Sequence, residues 1–201
     1  MFYVITGPSG CGKSTLARRA LGDVPDLEFA VSHTTRPKRE SEKAGRDYNF
    51  VSKDEFEKMI QEKKFIEWAV VHGNYYGTSR REVEKKSGKK DMILDIDVQG
   101  AKQFREAIKK AVFIFIFPPS YRELKQRLRK RGLDKTDVIK KRLEVAKKEI
   151  REYPVFDYII INDDLEPAVK ELVSIILSKR CLLESRLKEI VPILRSFSGE
   201  V

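Results

Sequence analysis

Five short apolar segments constrain this chain most: FYVIT (2–6), FAVSH (29–33), MILDID (92–97), VFIFIF (112–117) and YIIIN (158–162). They are rich in Val, Ile and Phe and lack the polar alternation of a strand with one wet face, so they predict strands covered on both sides. Helical patterns fill most of the gaps, at 14–21, 99–109, 120–131 and 136–151. Strands alternating with helices predict an α/β fold with a five-stranded parallel core and helices on both faces.

Two regions interrupt that rhythm. Between 36 and 80 the chain holds DYNFV (47–51), FIEWAVV (65–71) and GNYYGTS (73–79), with a helix expected near 53–63, which reads as an inserted small subdomain. Between 119 and 151 basic residues crowd together, with twelve Lys or Arg against four Asp or Glu over 122–148. The core is then expected over 1–35, 81–118 and 152–180, with an extension over 181–201. Apolar residues recurring from Leu172 to Ile190 predict one long C-terminal helix. Pro167 stands in its first turn and Pro192 is expected to end it.

At 201 residues, the length suits one domain carrying an insert. The longest apolar run, Ala111–Phe117, has seven residues, too few to span a bilayer. Met1 leads straight into a strand-like segment rather than a signal peptide, and the two cysteines, Cys11 and Cys181, have no metal-type spacing. These features predict a cytoplasmic protein with no membrane partner. The net charge of +10 calls for an anionic ligand, and no RNA- or DNA-binding signature accompanies it. A basic total alone fits nucleic acid, a membrane surface or nucleotide phosphates; most of the lysines read as solvated surface, and no nucleic-acid partner is expected.

GPSGCGKS fits G-x-x-x-x-G-K-[ST] at Gly7, Gly12, Lys13 and Ser14, between an expected strand and an expected helix. Glycines let backbone N–H groups turn inward around a phosphate, and the helix N-terminus adds its dipole there. Lys13 supplies a charge for the β and γ phosphates, and Ser14 a hydroxyl for Mg²⁺. The loop from Ser9 through Gly10, Cys11, Gly12, Lys13 and Ser14 to Thr15 is therefore expected to hold ATP. Cys11 fills a free position in the motif.

SHTTRPKRESEKAGRDYNFV (32–51), FIEWAVVHGNYYGTS (65–79), LDIDVQG (94–100) and IINDD (160–164), together with that loop, resemble the guanylate kinase family over residues 2 to 180. The resemblance implies a P-loop kinase fold with a GMP-binding insert and a helical lid. It implies transfer of the γ-phosphate of ATP to GMP, with dGMP as a second acceptor and Mg²⁺ as cofactor.

The residues make physical sense in those roles. Arg36 and Arg39 offer two guanidinium forks, which suit a monophosphate, and by resemblance they hold that of GMP with the Tyr48 and Tyr76 hydroxyls. Glu67 lies among apolar neighbours, and a carboxylate accepts both the N1–H and the 2-amino group of guanine, a pair adenine lacks. Alternation alone leaves Glu67 open between facing in and facing out. The resemblance gives it the guanine, with Ser32 and Thr78 adding hydroxyls. Asp95 and Asp97 are expected on one face at the end of the third strand, between the two nucleotides, with first-shell metal contact assigned to neither. Arg131 and Arg142 match the family's lid arginines and join Lys13 and Arg39 as the catalytic set. Asn162 is implied at the adenine. His33 and His72 read as structural or peripheral.

RPKRESE (36–42) departs from the family's R-x-P-R-x-G-E, with Ser41 where glycine is common, so Glu42 receives no role. The stretch after 180 lies outside the resemblance and is open between packing on its own domain and on a second chain, as monomer or homodimer. Two other readings keep the same loop: a kinase acting on a ribose phosphate, and a non-catalytic interaction module of the same fold. The intact Lys13, Ser14, Arg131 and Arg142 favour an enzyme over the module, and Glu67 with NYYGTS favours a nucleotide over the ribose phosphate.

Overall fold

The computed structural model describes residues 1–86, 90–130 and 136–197. In chain order its elements begin with β1 (Phe2–Thr6), α1 (Lys13–Asp23), β2 (Leu27–Phe29), β3 (His33–Thr34), β4 (Asn49–Phe50) and α2 (Lys53–Gln61). Then come β5 (Phe65–Val71), β6 (Asn74–Ser79), α3 (Arg80–Lys86), β7 (Asp91–Asp95), α4 (Val98–Ala107) and β8 (Ala111–Phe117). The last are α5 (Tyr121–Lys130), α6 (Thr136–Glu149), a 3₁₀ stretch (Ile150–Val155), β9 (Tyr158–Ile161), α7 (Leu165–Arg180) and α8 (Leu183–Phe197).

The core sheet runs β2-β7-β1-β8-β9 and every pairing is parallel. Successive side chains leave opposite faces and both are covered. Tyr3, Ile5, Ile93, Ile114 and Ile116 pack under α1 and α7, while Val4, Met92, Leu94 and Phe113 pack with Phe104 of α4. This double burial is why the strands read as unbroken apolar runs.

FAVSH does not form the single strand expected over 29–33. Phe29 ends β2, and Ala30 donates its N–H to Ile93 in the core sheet. Two residues on, the Ser32 carbonyl accepts from Asn49 and the chain enters a second sheet at His33. One apolar run thus serves two ladders. The second sheet, β4-β3-β6-β5, draws in residues 33–34, ahead of the insert boundary read at 36.

Within the insert, α2 starts on a reciprocal Ser52–Glu55 capping box, and its Phe56 stacks between Phe65 and Tyr75 at 4.4 and 5.1 Å. The β5–β6 hairpin turns at His72 and Gly73, both at positive φ, as a two-residue turn demands. Gln103 of α4 pins β5 to the core by exchanging hydrogen bonds with both backbone groups of Trp68. Helices α5 and α6 close on their own small core of Leu124, Leu128, Ile139, Leu143 and Ala146.

The single C-terminal helix also needs correction. Residues 165–197 form two helices, broken at Cys181–Leu182, and Pro192 lies inside α8 rather than ending it. The break is fixed by contacts distant in sequence. Arg180 donates to Asp91 and to the Pro25 carbonyl, anchoring the end of α7 beside β2. Asp91 also holds the N-terminal ammonium at 2.7 Å.

Candidate active site

The phosphate loop joins β1 to α1, and its geometry is glycine-dependent. Gly7 and Gly12 have φ of 143° and 101°, and a Cβ would strike the Ile116 carbonyl at the first and the Asn162 amide at the second. Lys13 Nζ folds back on the Gly7 carbonyl at 2.7 Å, and Ser14 Oγ donates to Asp95 Oδ2 at 2.5 Å. Asn162 lies buried under the loop, donating to the Cys11 carbonyl at 2.7 Å. Its amide nitrogen is thereby committed to the loop backbone. Cys11 is fully buried, and burial raises its thiol pKa, so it packs rather than reacts.

The loop opens onto a cleft of about 620 Å³ whose opposite wall is the second sheet and its adjoining loops. Ser9, Gly10, Gly12, Lys13, Ser14 and Thr15 line one side, and Ser32, Arg36, Arg39, Tyr48, Glu67 and Tyr76 the other. Asp95, Asp97 and Arg142 line it as well. Thr78 is wholly buried behind this wall, its hydroxyl 3.1 Å from that of Ser32. Arg131 lies outside the described residues.

Glu67 is only 2% exposed, and its Oε1 has no hydrogen-bond partner. A register shift between Phe65 and Glu67 re-aims β5 here, a bulge that hydrophobic alternation could not foresee. Burial pushes the Glu67 carboxyl up to about 7, against the opposing pull of Thr78, with the negative charge of Asp97 adding to the rise. Gly100 makes room for it, since a Cβ there would overlap Glu67 Oε2.

The two aspartates do not share a strand face as expected. β7 ends at Asp95, and Asp97 caps α4 by accepting the Gly100 N–H at 2.9 Å. Leaving the sheet at Ile96 frees residue 97 to start a helix, the stronger local preference of Asp. Burial raises the Asp97 carboxyl as well.

On the far side, Glu42 holds the Arg36 fork and the Arg39 backbone. Its carboxylate accepts from Arg36 Nη2 at 2.7 Å and from the Arg39 N–H at 2.9 Å. Burial would lift the Glu42 carboxyl, but these bonds outweigh it and hold the pKa below the usual range. Arg36 also donates to the Tyr76 hydroxyl at 3.2 Å and lies 5.6 Å from the Tyr48 ring centre.

A family model for guanylate kinase matches residues 1–179. The chain belongs to the guanylate kinase family. It is 48% identical to the guanylate kinase of Geobacter metallireducens over 90% of either chain. It is 49% identical to that of Neisseria gonorrhoeae over 87% of this chain and 85% of the relative. The crystal structure of guanylate kinase from Anaplasma phagocytophilum matches with a TM-score of 0.79 at 33% identity, covering 95% of this chain and 93% of that one. The family match ends within the last turn of α7, so α8 lies beyond it.

Two cleft carboxylates escaped the sequence reading. Glu42 stands three and six residues after the arginines it holds, a spacing that a substituted motif concealed. Glu149, the last residue of α6, reaches the cleft beside Asp97 and Arg142. Burial raises its carboxyl, while Lys13 pulls it down. It shares a stripe with Val138 and Arg142 at helical spacing, a signal lost among the lysines of that helix.

Proposed function

We propose that the cleft seats ATP on the loop from Ser9 to Thr15 and GMP against the second sheet, with Glu67 reading the guanine. The reaction is that of the family, ATP plus GMP giving ADP and GDP. The observation that carries the site assignment is the buried, unpartnered Glu67 oxygen in the same cleft as the phosphate loop. Guanine brings two adjacent donors to that carboxylate, whereas adenine would leave it unsatisfied and lose strongly for that reason. Ser32 and Thr78 supply further hydroxyls, and Arg36, Arg39, Tyr48 and Tyr76 receive the monophosphate.

Transfer is in-line and needs no strong general base, because the acceptor phosphate is already ionised. Lys13 leaves the Gly7 carbonyl for the β and γ phosphates, and Arg39, Arg142 and Arg131 neutralise the moving phosphoryl. Ser14 and Asp95 are hard oxygen donors and fit Mg²⁺ with several retained waters; Ser14 would hold it and Asp95 would steady its shell. When bound, the ion offsets charge on the ATP phosphates. Asn162 fixes the loop and borders the adenine. The cytoplasm is the proposed location; among the described residues, no helix is long and apolar enough to cross a membrane.

The test is the initial rate of ADP formation from ATP and Mg²⁺ with GMP, AMP or ribose phosphates as acceptor, for the native chain and for Glu67→Gln. GMP-specific turnover that loses its preference over AMP in the variant supports the reading. An unchanged preference removes Glu67 from it.

A further inference from the structure

Asp47 belongs to the turn that follows the monophosphate arginines, and its carboxylate is nearly sealed from solvent at 4% exposure. One oxygen, Oδ2, is used locally. It accepts from the Lys43 N–H at 2.8 Å and from Arg46 Nε and Nη2 at 3.1 and 2.9 Å. These bonds, with Gly45 at φ 74° and the Asp47 N–H on the Lys43 carbonyl, shape the turn. The other oxygen, Oδ1, is taken by Arg18 Nη2 at 2.5 Å, across 29 residues of sequence. Burial alone would raise the Asp47 carboxyl, yet the Lys43, Arg46 and Arg18 contacts keep it below its ordinary pKa.

Arg18 sits on α1, the helix that begins at the phosphate loop. Its neighbours Leu16, Ala17 and Ala20 are fully buried against the core, so the helix is a rigid base for the arm. The turn it reaches is continuous with Arg36, Arg39 and Glu42 on one side and Tyr48 on the other. Gln103 fixes the insert at β5, some distance along the chain from that turn.

We infer that Arg18 is a positioning residue for the GMP site: through Asp47 it ties the ATP-binding helix to the turn behind the monophosphate forks. Without it, the turn keeps its local shape and the Asn49 bonds to Val31 and Ser32 but loses its tie to α1, and GMP must fix this part of the insert itself on binding. That cost appears in GMP affinity. It does not appear in ATP affinity, because the loop's own contacts are untouched. The inference rests on the reading of Arg36 and Arg39 as the GMP phosphate site.

The experiment is a double-mutant cycle on the full chain with Arg18→Met, Asp47→Asn and both together. It reads KM for GMP at saturating ATP, kcat, and ATP affinity by titration without GMP. Arg18→Met is expected to raise KM for GMP about threefold to tenfold, as for an ion pair with one exposed partner. Its kcat should stay within about twofold and ATP affinity should be unchanged. Arg18 also lines the cleft, so the double variant separates the two routes: it should match Asp47→Asn alone where Arg18 acts through that carboxylate and not on the nucleotide. Arg18→Glu, which repels Asp47 without entering the buried turn, should exceed Arg18→Met, and Arg18→Lys should recover part of the loss.

Multiplying effects in the double variant would show that Arg18 contacts the nucleotide itself, and would overturn the inference. So would an unchanged KM in Arg18→Met. If Asp47→Asn does not fold, the order of the Glu, Met and Lys variants decides, and equal KM values across them refute the tie. A native chain without GMP-dependent turnover fails earlier, at the proposed function.

Discussion

Gly100 and Glu67 compete for one volume: a Cβ on residue 100 would overlap Glu67 Oε2, although the two come from different layers of the molecule. Gly100 lies in the first turn of α4, where alanine would ordinarily favour the helix by about 0.5–1 kcal/mol. Here the collision is with the group proposed to read the base. Gly100→Ala should therefore raise KM for GMP by about tenfold or more while leaving ATP affinity unchanged. Equal GMP kinetics in a folded variant would mean that Glu67 can swing aside at no cost.

Glu67 also makes GMP binding depend on pH. Burial raises its carboxyl to about 7, so the protonated form is populated near neutrality. Guanine donates two hydrogen bonds and requires the ionised form. KM for GMP should rise as pH falls, by about tenfold from pH 8 to pH 6. The GMP phosphate, a monoester whose second ionisation lies near pH ~6, titrates in the same window. Glu67→Gln isolates the Glu67 contribution, because its profile differs from the native one by that ionisation alone. The stability of the ligand-free protein runs the other way. A carboxyl whose folded pKa is raised favours folding fully only below its unfolded pKa, and that contribution disappears as pH rises through about 7. Glu67→Gln should flatten this dependence in denaturant melts. Parallel curves for variant and native chain would contradict it.

Glu42 gives a third expectation. It is the shared acceptor for Arg36 and for the backbone of Arg39. Glu42→Gln keeps the shape but removes the charge that fixes Arg36, and charge-assisted bonds of this kind are worth about 1.5–3 kcal/mol. GMP should bind about tenfold to a hundredfold more weakly, and kcat should fall as well because Arg39 moves with the turn. A change confined to ATP affinity would place Glu42 outside the acceptor site.

The sequence was most readable where periodicity and local chemistry agree. VFIFIF, FIEWAVV and the phosphate loop lie where their patterns placed them, because double burial, the hairpin turn and the glycine motif each leave a local mark. FAVSH was misread because one apolar run can feed two sheets, and alternation within the run cannot tell which neighbour pairs with it. The break at Cys181 was hidden for a similar reason: apolar spacing continues through it, while the contacts that fix it come from Pro25 and Asp91. At the site, residue types with a direct chemical match to phosphate or guanine could be read. Residues that act on other residues could not. Arg18, Glu42, Asp47 and Gly100 matter through partners from 3 to 33 positions away, and no local pattern marks such partners.

Asn162 shows how that second kind of residue can be tested. It ends the last core strand, and its amide nitrogen holds the Cys11 carbonyl at 2.7 Å from beneath the loop. Its buried position makes it a strut for the loop. Asn162→Ala leaves the Cys11 carbonyl without its donor and opens space next to Gly12, at a cost of about 1–3 kcal/mol. ATP affinity should fall about fivefold to a hundredfold while KM for GMP stays the same. Asn162→Asp sharpens the test, since it sets a carboxylate against a carbonyl below a loop that must hold a polyanion. It should bind ATP more weakly than the alanine variant, and GTP and CTP as donors should lose as much as ATP does. A loss restricted to ATP would mean that Asn162 acts at the adenine and not on the loop.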